Sequence, residues 1–333
     1  MRVAVIGSGS WGTAVAGLLG EKGNEVRLWA RRKALADAIN TEHRNPDYLS
    51  SYTLSENISA SSDFAWVLDS VEVIVMVVPS YSIRSVAEEM KAFVSPDTPI
   101  VVLTKGIEKT TSLILTDVLA EVLGNNNRMA ALSGPNHAEE VSRKKPTAAV
   151  VGAQDPHIAK MIQELFFTDY FRMYTSDDLL GVEILAAAKN IIAIAVGINV
   201  GLGFGDNASA LLMTRGLAEI SRLIKKLGGN PQTAMSLAGM GDLITTCISE
   251  NSRNRTFGYA FSQGESLEDY QKRRHMVVEG ANAVISVREL AHKHGVEVPI
   301  TEAVYQALYE DKDIEELISA LFSRAPRDEF YGL

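Results

Sequence analysis

The chain has 333 residues, 46% hydrophobic and 22% charged, with 25 Gly and 10 Pro. That composition excludes disorder, collagen and low-complexity sequence, and the length suits two domains of roughly 150 residues each. The 32 Lys and Arg against 41 Asp and Glu leave a formal charge of −9. Such a balance argues against phosphate polymers and anionic lipid, so neither nucleic acid nor membrane insertion is expected. A single cysteine, Cys247, cannot form an internal disulfide, and the first residues lack the basic flank and apolar core of a secretory signal, which together point to the cytoplasm.

Up to about residue 180, short β-branched runs alternate with helical patterns, the signature of a mostly parallel, doubly wound sheet flanked by helices. Strands are predicted at 3–6, 25–29, 73–78, 100–103, 129–132, 147–151 and 172–174. Several are apolar throughout, as strands covered on both faces are. Beyond 177 the β-branched runs stop and helices are predicted at 179–198, 208–227, 282–294 and 301–309. The expected organisation is therefore an α/β domain over 1–180 followed by an all-α domain over 181–333. The longest apolar stretch, 184–202, is interrupted by Lys189, Asn190 and Asn199, which suits a buried helix better than a membrane span.

Gly7, Gly9 and Gly12 form G-x-G-x-x-G directly after the first predicted strand and directly before a predicted helix at 13–21. In that frame the first glycine allows the tight turn, the second lets the backbone approach a pyrophosphate and the third lets helix and strand touch. N–H groups at the helix start then hold the anion. After the second strand, where NAD-binding loops place a carboxylate for the ribose hydroxyl, the sequence instead reads Ala30, Arg31, Arg32. Planar guanidinium groups suit a 2′-phosphate, so NADP(H) is the preferred cofactor, with NAD(H) also admitted. A solvated arginine pair is the plainer alternative.

Lys105 follows a parallel strand at the end where open α/β sheets bind ligands, although a turn lysine reads the same way. The segment Ser133-Gly134-Pro135-Asn136 also leaves a strand and opens a helical pattern, so its backbone N–H groups can meet a ligand or simply begin a helix. Lys189 is the most informative residue, because it lies in a helix with almost no polar face. Desolvation lowers a buried lysine toward the range where it exchanges protons at neutral pH. The competing reading is a lysine that snorkels at the helix edge. Farther on, Ser252-Arg253-Asn254 can bind one phosphate through a charged fork and two neutral donors, or cap a helix. No His, Cys and carboxylate spacing matches a zinc or calcium site, and no metal is expected.

Together these residues resemble the bacterial NAD(P)-dependent glycerol-3-phosphate dehydrogenases over nearly the whole chain. The resemblance rests on GSGSWGTAVA, LTKGIE around Lys105, LSGPNHAEEV, AAKNIIAIAVGI around Lys189, GMGDLITTC, SRNRTFG and VVEG ending at Gly280, in order and spacing. It implies a Rossmann domain and a homodimer. Ser10, Trp11, Arg31, Arg32, Tyr48, Lys105, Ala138, Arg253, Val277 and Glu279 would contact the cofactor. Gly134, Asn136, Asp242, Ser252, Arg253 and Asn254 would bind the substrate, dihydroxyacetone phosphate or sn-glycerol 3-phosphate, with Lys105 also touching it. Lys189 would transfer the proton. Asn136 stands where many relatives carry serine; either side chain donates a hydrogen bond. The rival readings are a sister β-hydroxyacid dehydrogenase, which the SRN segment argues against, and a non-enzymatic NADP(H) sensor, for which a buried proton donor has no use.

Overall fold

The computed structural model describes residues 1–274 and 277–333. By packing, the chain divides into two compact units. One is Met1–Thr104 with Leu115–Leu179, and the other is Lys105–Ile114 with Leu180–Leu333. The short run Lys105–Ile114 thus clusters with the helical unit although it lies, in sequence, among the strands of the first.

The first unit alternates strands and helices: β1 (Arg2–Ile6), α1 (Ser10–Glu21), β2 (Glu25–Trp29), α2 (Lys33–Glu42), β3 (Ile58–Ser61), α3 (Phe64–Leu68), β4 (Val73–Met76), α4 (Ile83–Met90), β5 (Ile100–Val102), α5 (Leu115–Leu123), β6 (Met129–Ser133), α6 (Ala138–Val141), β7 (Thr147–Ala153), α7 (Pro156–Phe166) and β8 (Phe171–Ser176). The strands form one sheet in the order β3-β2-β1-β4-β5-β6-β7-β8. Every neighbouring pair is parallel except β6 with β7. The chain winds outward from β1 to β3, then restarts at β4 on the other side of β1. That reversal opens a crevice at the carboxyl ends of β1 and β4, the place where such sheets take ligands.

Burial explains why these segments are strands. β1 and β4 bury successive residues completely, Val3 and Ala4 in one and Val73 and Ile74 in the other, so neither can face solvent on either side. β3 was not among the strands expected. Its sequence, ISAS, is short and half polar, and it occupies the sheet edge, where little apolar surface is required.

The second unit is helical: α8 (Leu179–Gly201), α9 (Gly205–Lys226), α10 (Asp242–Ile248), α11 (Arg253–Ser262), α12 (Leu267–Arg274), α13 (Glu279–His294), α14 (Pro299–Tyr309) and α15 (Ile314–Phe322). α8 is long and apolar enough to cross a membrane, but 94% of its apolar window is buried inside the protein. It is the axis of the core, with Ile184, Ile191, Ile192 and Ile194 fully enclosed. Two glycines set how closely α11 approaches it. A Cβ on Gly197 would fall on the Arg255 carbonyl, and one on Gly258 would fall on the Ile194 carbonyl. The two backbones are therefore in direct contact, which fixes the start of α11 beside the middle of α8.

Candidate active site

In the first unit, β1 ends at Ile6, level with Trp29 and Met76 on its neighbours. The chain then turns through Gly7, whose φ of +124° is open to glycine and strained for other residues. A Cβ on Gly12 would strike the Gly7 carbonyl, so the third glycine lets α1 fold back onto the turn. Gly9 differs: a Cβ there meets nothing within 4 Å. It is also the N-cap of α1 and offers no side-chain cap, so the first-turn N–H groups have no capping side chain there. The Trp11 indole N–H is buried without an acceptor among the described residues. Open space above Gly9, uncapped donors and an orphaned indole N–H all fit the pyrophosphate of a dinucleotide.

Arg31 and Arg32 follow β2 and are exposed, and Arg32 is ion-paired with Asp47. Tyr48 is adjacent to that aspartate and 42% exposed. β6 runs parallel to β5, so Gly134, which follows it, lies at the same end of the sheet as the glycine loop. Gly134 has φ +154°, and a Cβ there would strike the Ala148 carbonyl and Ala149 of β7. Asn136 is buried, and Ala138 is the first residue of α6.

The second unit holds the cations. Lys189, 5% exposed, comes from the middle of α8, and Asp242, 2% exposed, is the first residue of α10. A π turn over Leu237–Gly241 leads into α10, with the Gly241 N–H donating to the Ser236 carbonyl at 3.2 Å. The Lys189 ammonium donates to Asp242 Oδ1 and, at 2.7 Å, to Thr246 Oγ1. Lys105 Nζ donates to Asp242 Oδ2 at 2.8 Å. One carboxylate therefore bridges two ammonium groups. Thr246, one turn along α10, is fixed by its own donation to the Asp242 carbonyl at 2.6 Å.

The electrostatics follow from this geometry. Burial brings the Lys189 pKa down to about 7, with the Asp242 charge opposing the fall and the Lys105 charge adding to it. Burial alone would raise the Asp242 carboxyl, but Lys105 and Lys189 outweigh it and hold the group below its ordinary range. Asp242 thus stays ionised while Lys189 is poised to give or take a proton near neutral pH.

Beside this cluster, Ser252 caps α11 by accepting the Arg255 N–H at 3.3 Å. Asn254 Nδ2 donates to Asn190 Oδ1 at 2.9 Å, and Asn254 Oδ1 accepts the Gly280 N–H at 2.9 Å. Arg253 is exposed. The capping and the ligand-binding readings of this segment are compatible. Ser252 keeps its hydroxyl hydrogen and Asn254 one amide hydrogen, while the rest of each side chain organises α8, α11 and α13. Glu279 opens α13, two residues after Val277. Thr246 and Asn190 escaped the sequence reading. The available signals were the spacing of Thr246 one turn after Asp242 and the unusual polarity of Asn190 within an apolar helix.

A doubly wound sheet with a dinucleotide-type glycine loop, joined in one chain to a helical unit with a buried, carboxylate-paired lysine, defines an oxidoreductase of the nicotinamide class. Family models described as the N-terminus and the C-terminus of NAD-dependent glycerol-3-phosphate dehydrogenase match residues 2–159 and 178–319. The chain belongs to that family. Glycerol-3-phosphate dehydrogenase (NAD(P)+) of Levilactobacillus brevis is 45% identical over 99% of this chain and 99% of its own length. The enzyme of the same name from Anaeromyxobacter dehalogenans is 46% identical over 99% and 100%. The crystal structure of glycerol-3-phosphate dehydrogenase from Coxiella burnetii, 39% identical, superposes with a TM-score of 0.92 over 97% of this chain and 99% of that one.

Proposed function

We propose that the chain reversibly reduces dihydroxyacetone phosphate to sn-glycerol 3-phosphate with NADPH in preference to NADH, as a cytoplasmic homodimer serving glycerophospholipid synthesis. The names of its relatives support the substrate pair, and the Arg31 and Arg32 pair supports the cofactor preference. The observation that carries the mechanism is Lys189, buried and held between Asp242 and Thr246.

Residues 1–180 serve as the cofactor domain. Gly7, Gly9 and Gly12 with Ser10 and Trp11 hold the pyrophosphate, while Arg31, Arg32 and Tyr48 hold the adenosine end, and Ala138, Arg253, Val277 and Glu279 complete the contacts. The bound dinucleotide supplies or accepts the hydride. Residues 181–333, with Lys105, serve the substrate. Arg253, Ser252 and Asn254 grip the phosphate, Gly134 and Asn136 bind the triose, and that remote binding energy orients the reacting carbon.

During reduction, Lys189 Nζ gives its proton to the carbonyl oxygen and is left neutral, then regains a proton from solvent. Asp242 keeps a negative charge beside Nζ, which prevents the ammonium from losing its proton too early. Lys105 lies on the other carboxylate oxygen and stabilises the developing alkoxide as a preorganised cation. In the oxidative direction, neutral Lys189 takes the hydroxyl proton.

The test is the absorbance of NADPH consumed with dihydroxyacetone phosphate, beside unphosphorylated dihydroxyacetone. Activity confined to the phosphorylated ketone is expected, and turnover indifferent to the phosphate overturns the reading. Lys189→Ala is expected to abolish turnover while NADPH binding persists, because the glycine loop belongs to the other unit. A variant keeping near-normal kcat removes Lys189 as the acid.

A further inference from the structure

After β2 no carboxylate occupies the place where an NAD-binding loop presents one to the ribose hydroxyls, yet the fold delivers one from farther along. Asp47, fifteen residues beyond Arg32, is ion-paired with its guanidinium. The position of Asp47 is built into the structure. Asn45, two residues earlier, is 0% exposed. Its Nδ2 donates to the Ser8 carbonyl at 2.8 Å and to Thr13 Oγ1 at 2.7 Å, and its Oδ1 accepts the N–H groups of Asp47 at 3.1 Å and Tyr48 at 3.2 Å. Both amide hydrogens and both lone pairs are spent. Ser8 belongs to the glycine loop and Thr13 to α1, so a single buried side chain fastens the segment bearing Asp47 and Tyr48 to the pyrophosphate loop.

We infer that Asp47 sets the balance between the two dinucleotides by competing with a 2′-phosphate for Arg32, and that Asn45 is the positioning residue that places it. This rests on Arg31 and Arg32 being the adenosine-end site. A 2′-phosphate must displace the Asp47 carboxylate from the guanidinium and meets its negative charge; a 2′-hydroxyl pays neither cost. A site with two arginines and no competing anion would favour the phosphorylated cofactor strongly. Asp47 moderates that preference and leaves a place for NADH. Both side chains of the pair are largely in water, at 62% and 40% exposure, so the moderation is about two- to fivefold, the range of an exposed ion pair.

Calorimetric titration of the full-length protein with adenosine 2′,5′-bisphosphate and with 5′-AMP tests this. Asp47→Asn is expected to tighten the bisphosphate about two- to fivefold and leave 5′-AMP unchanged. Unchanged affinity for both ligands, or an equal shift in both, overturns the inference. In the Arg32→Ala background the effect of Asp47→Asn is expected to shrink to what direct repulsion between the carboxylate and the 2′-phosphate leaves, because the competition runs through the guanidinium; an effect as large as in the wild-type background also overturns it. Arg32→Ala alone separates the two readings. If it weakens the bisphosphate and spares 5′-AMP, the adenosine site stands and only the Asp47 arms decide. If it changes neither ligand, the cofactor reading itself fails. Asn45→Ala is expected to weaken both ligands together by loosening the loop, and binding of both at wild-type strength removes its positioning role.

Discussion

At the scale of single residues the site is a contest between desolvation and charge. Burial lowers the Lys189 ammonium to about 7, and Asp242 opposes the fall. In the proposed mechanism reduction uses the protonated Lys189 amine and oxidation the neutral one. The kcat/KM for reduction is therefore expected to fall as pH rises through about 7, and that for oxidation to rise through the same region. Replacing Asp242 by Asn removes the group that holds the proton on, so both limbs should move to lower pH, as pH-rate profiles in the two directions would show. A limb that stays in place, or moves up, contradicts the assignment. The sign for stability is opposite to that for reduction. With its folded pKa below the unfolded value of roughly 10.4, Lys189 binds fewer protons in the folded state across that window, and its contribution to stability grows as pH rises. Loss of reduction above neutrality is therefore not unfolding from this source, and melting curves at each pH separate the two. Lys189 was legible because an ammonium in an apolar helix is costly unless it is partnered. Thr246 and Asn190 left only weaker signals, because the partners of neutral polar residues on helices are set by what α8, α10 and α11 place opposite them.

Among the elements, the two close glycine contacts make a sharper test than the hydrophobic pattern does. Gly258→Ala drives a methyl group into the Ile194 carbonyl, which is held in the α8 hydrogen-bond ladder. Because backbone cannot rotate aside like a side chain, the cost is expected to exceed about 3 kcal/mol, with a fall in Tm on the order of 10 °C in thermal melts. Gly9→Ala is the contrasting case. Its Cβ enters open space and its φ of −74° suits alanine, so the melt should be unchanged while dinucleotide affinity falls, since the methyl occupies the space above the loop. An unaffected affinity would show that the pyrophosphate lies elsewhere. The apolar strands and the long apolar helix were readable from periodicity. β3 was missed because an edge strand needs no apolar run, and α12, LEDYQKRR, because it buries only Tyr270 and so carries almost no amphipathic stripe.

For the molecule as a whole, composition changes once, near residue 180, but packing changes hands three times. After β5 the chain leaves the sheet unit at Lys105, spends ten residues in the helical unit and returns at Leu115 before leaving again at Leu180. The excursion is a small hairpin closed by a bridge between Ile107 and Ile114. Both isoleucines are buried in the same apolar core as Ile184, Val284 and Val287, and Ser286 Oγ donates to the Ile107 carbonyl at 3.5 Å. No periodicity could reveal this, because the segment is too short to carry a pattern and its meaning comes from a partner more than seventy residues away. Lys105, the first residue of this excursion, is the one that pairs with Asp242. The helical unit cut at the compositional boundary is consequently incomplete. A fragment of residues 180–333 loses two buried isoleucines, worth about 1.5–3 kcal/mol each, and one of the two cations that offset the buried Asp242 charge. It is expected to keep helical far-UV circular dichroism while binding a hydrophobic dye and showing weak near-UV signal. Rejoining residues 105–114 through a flexible linker should restore a cooperative thermal transition and suppress the dye signal. A bare fragment that melts as sharply as the rejoined one would mean that the excursion contributes nothing to this core.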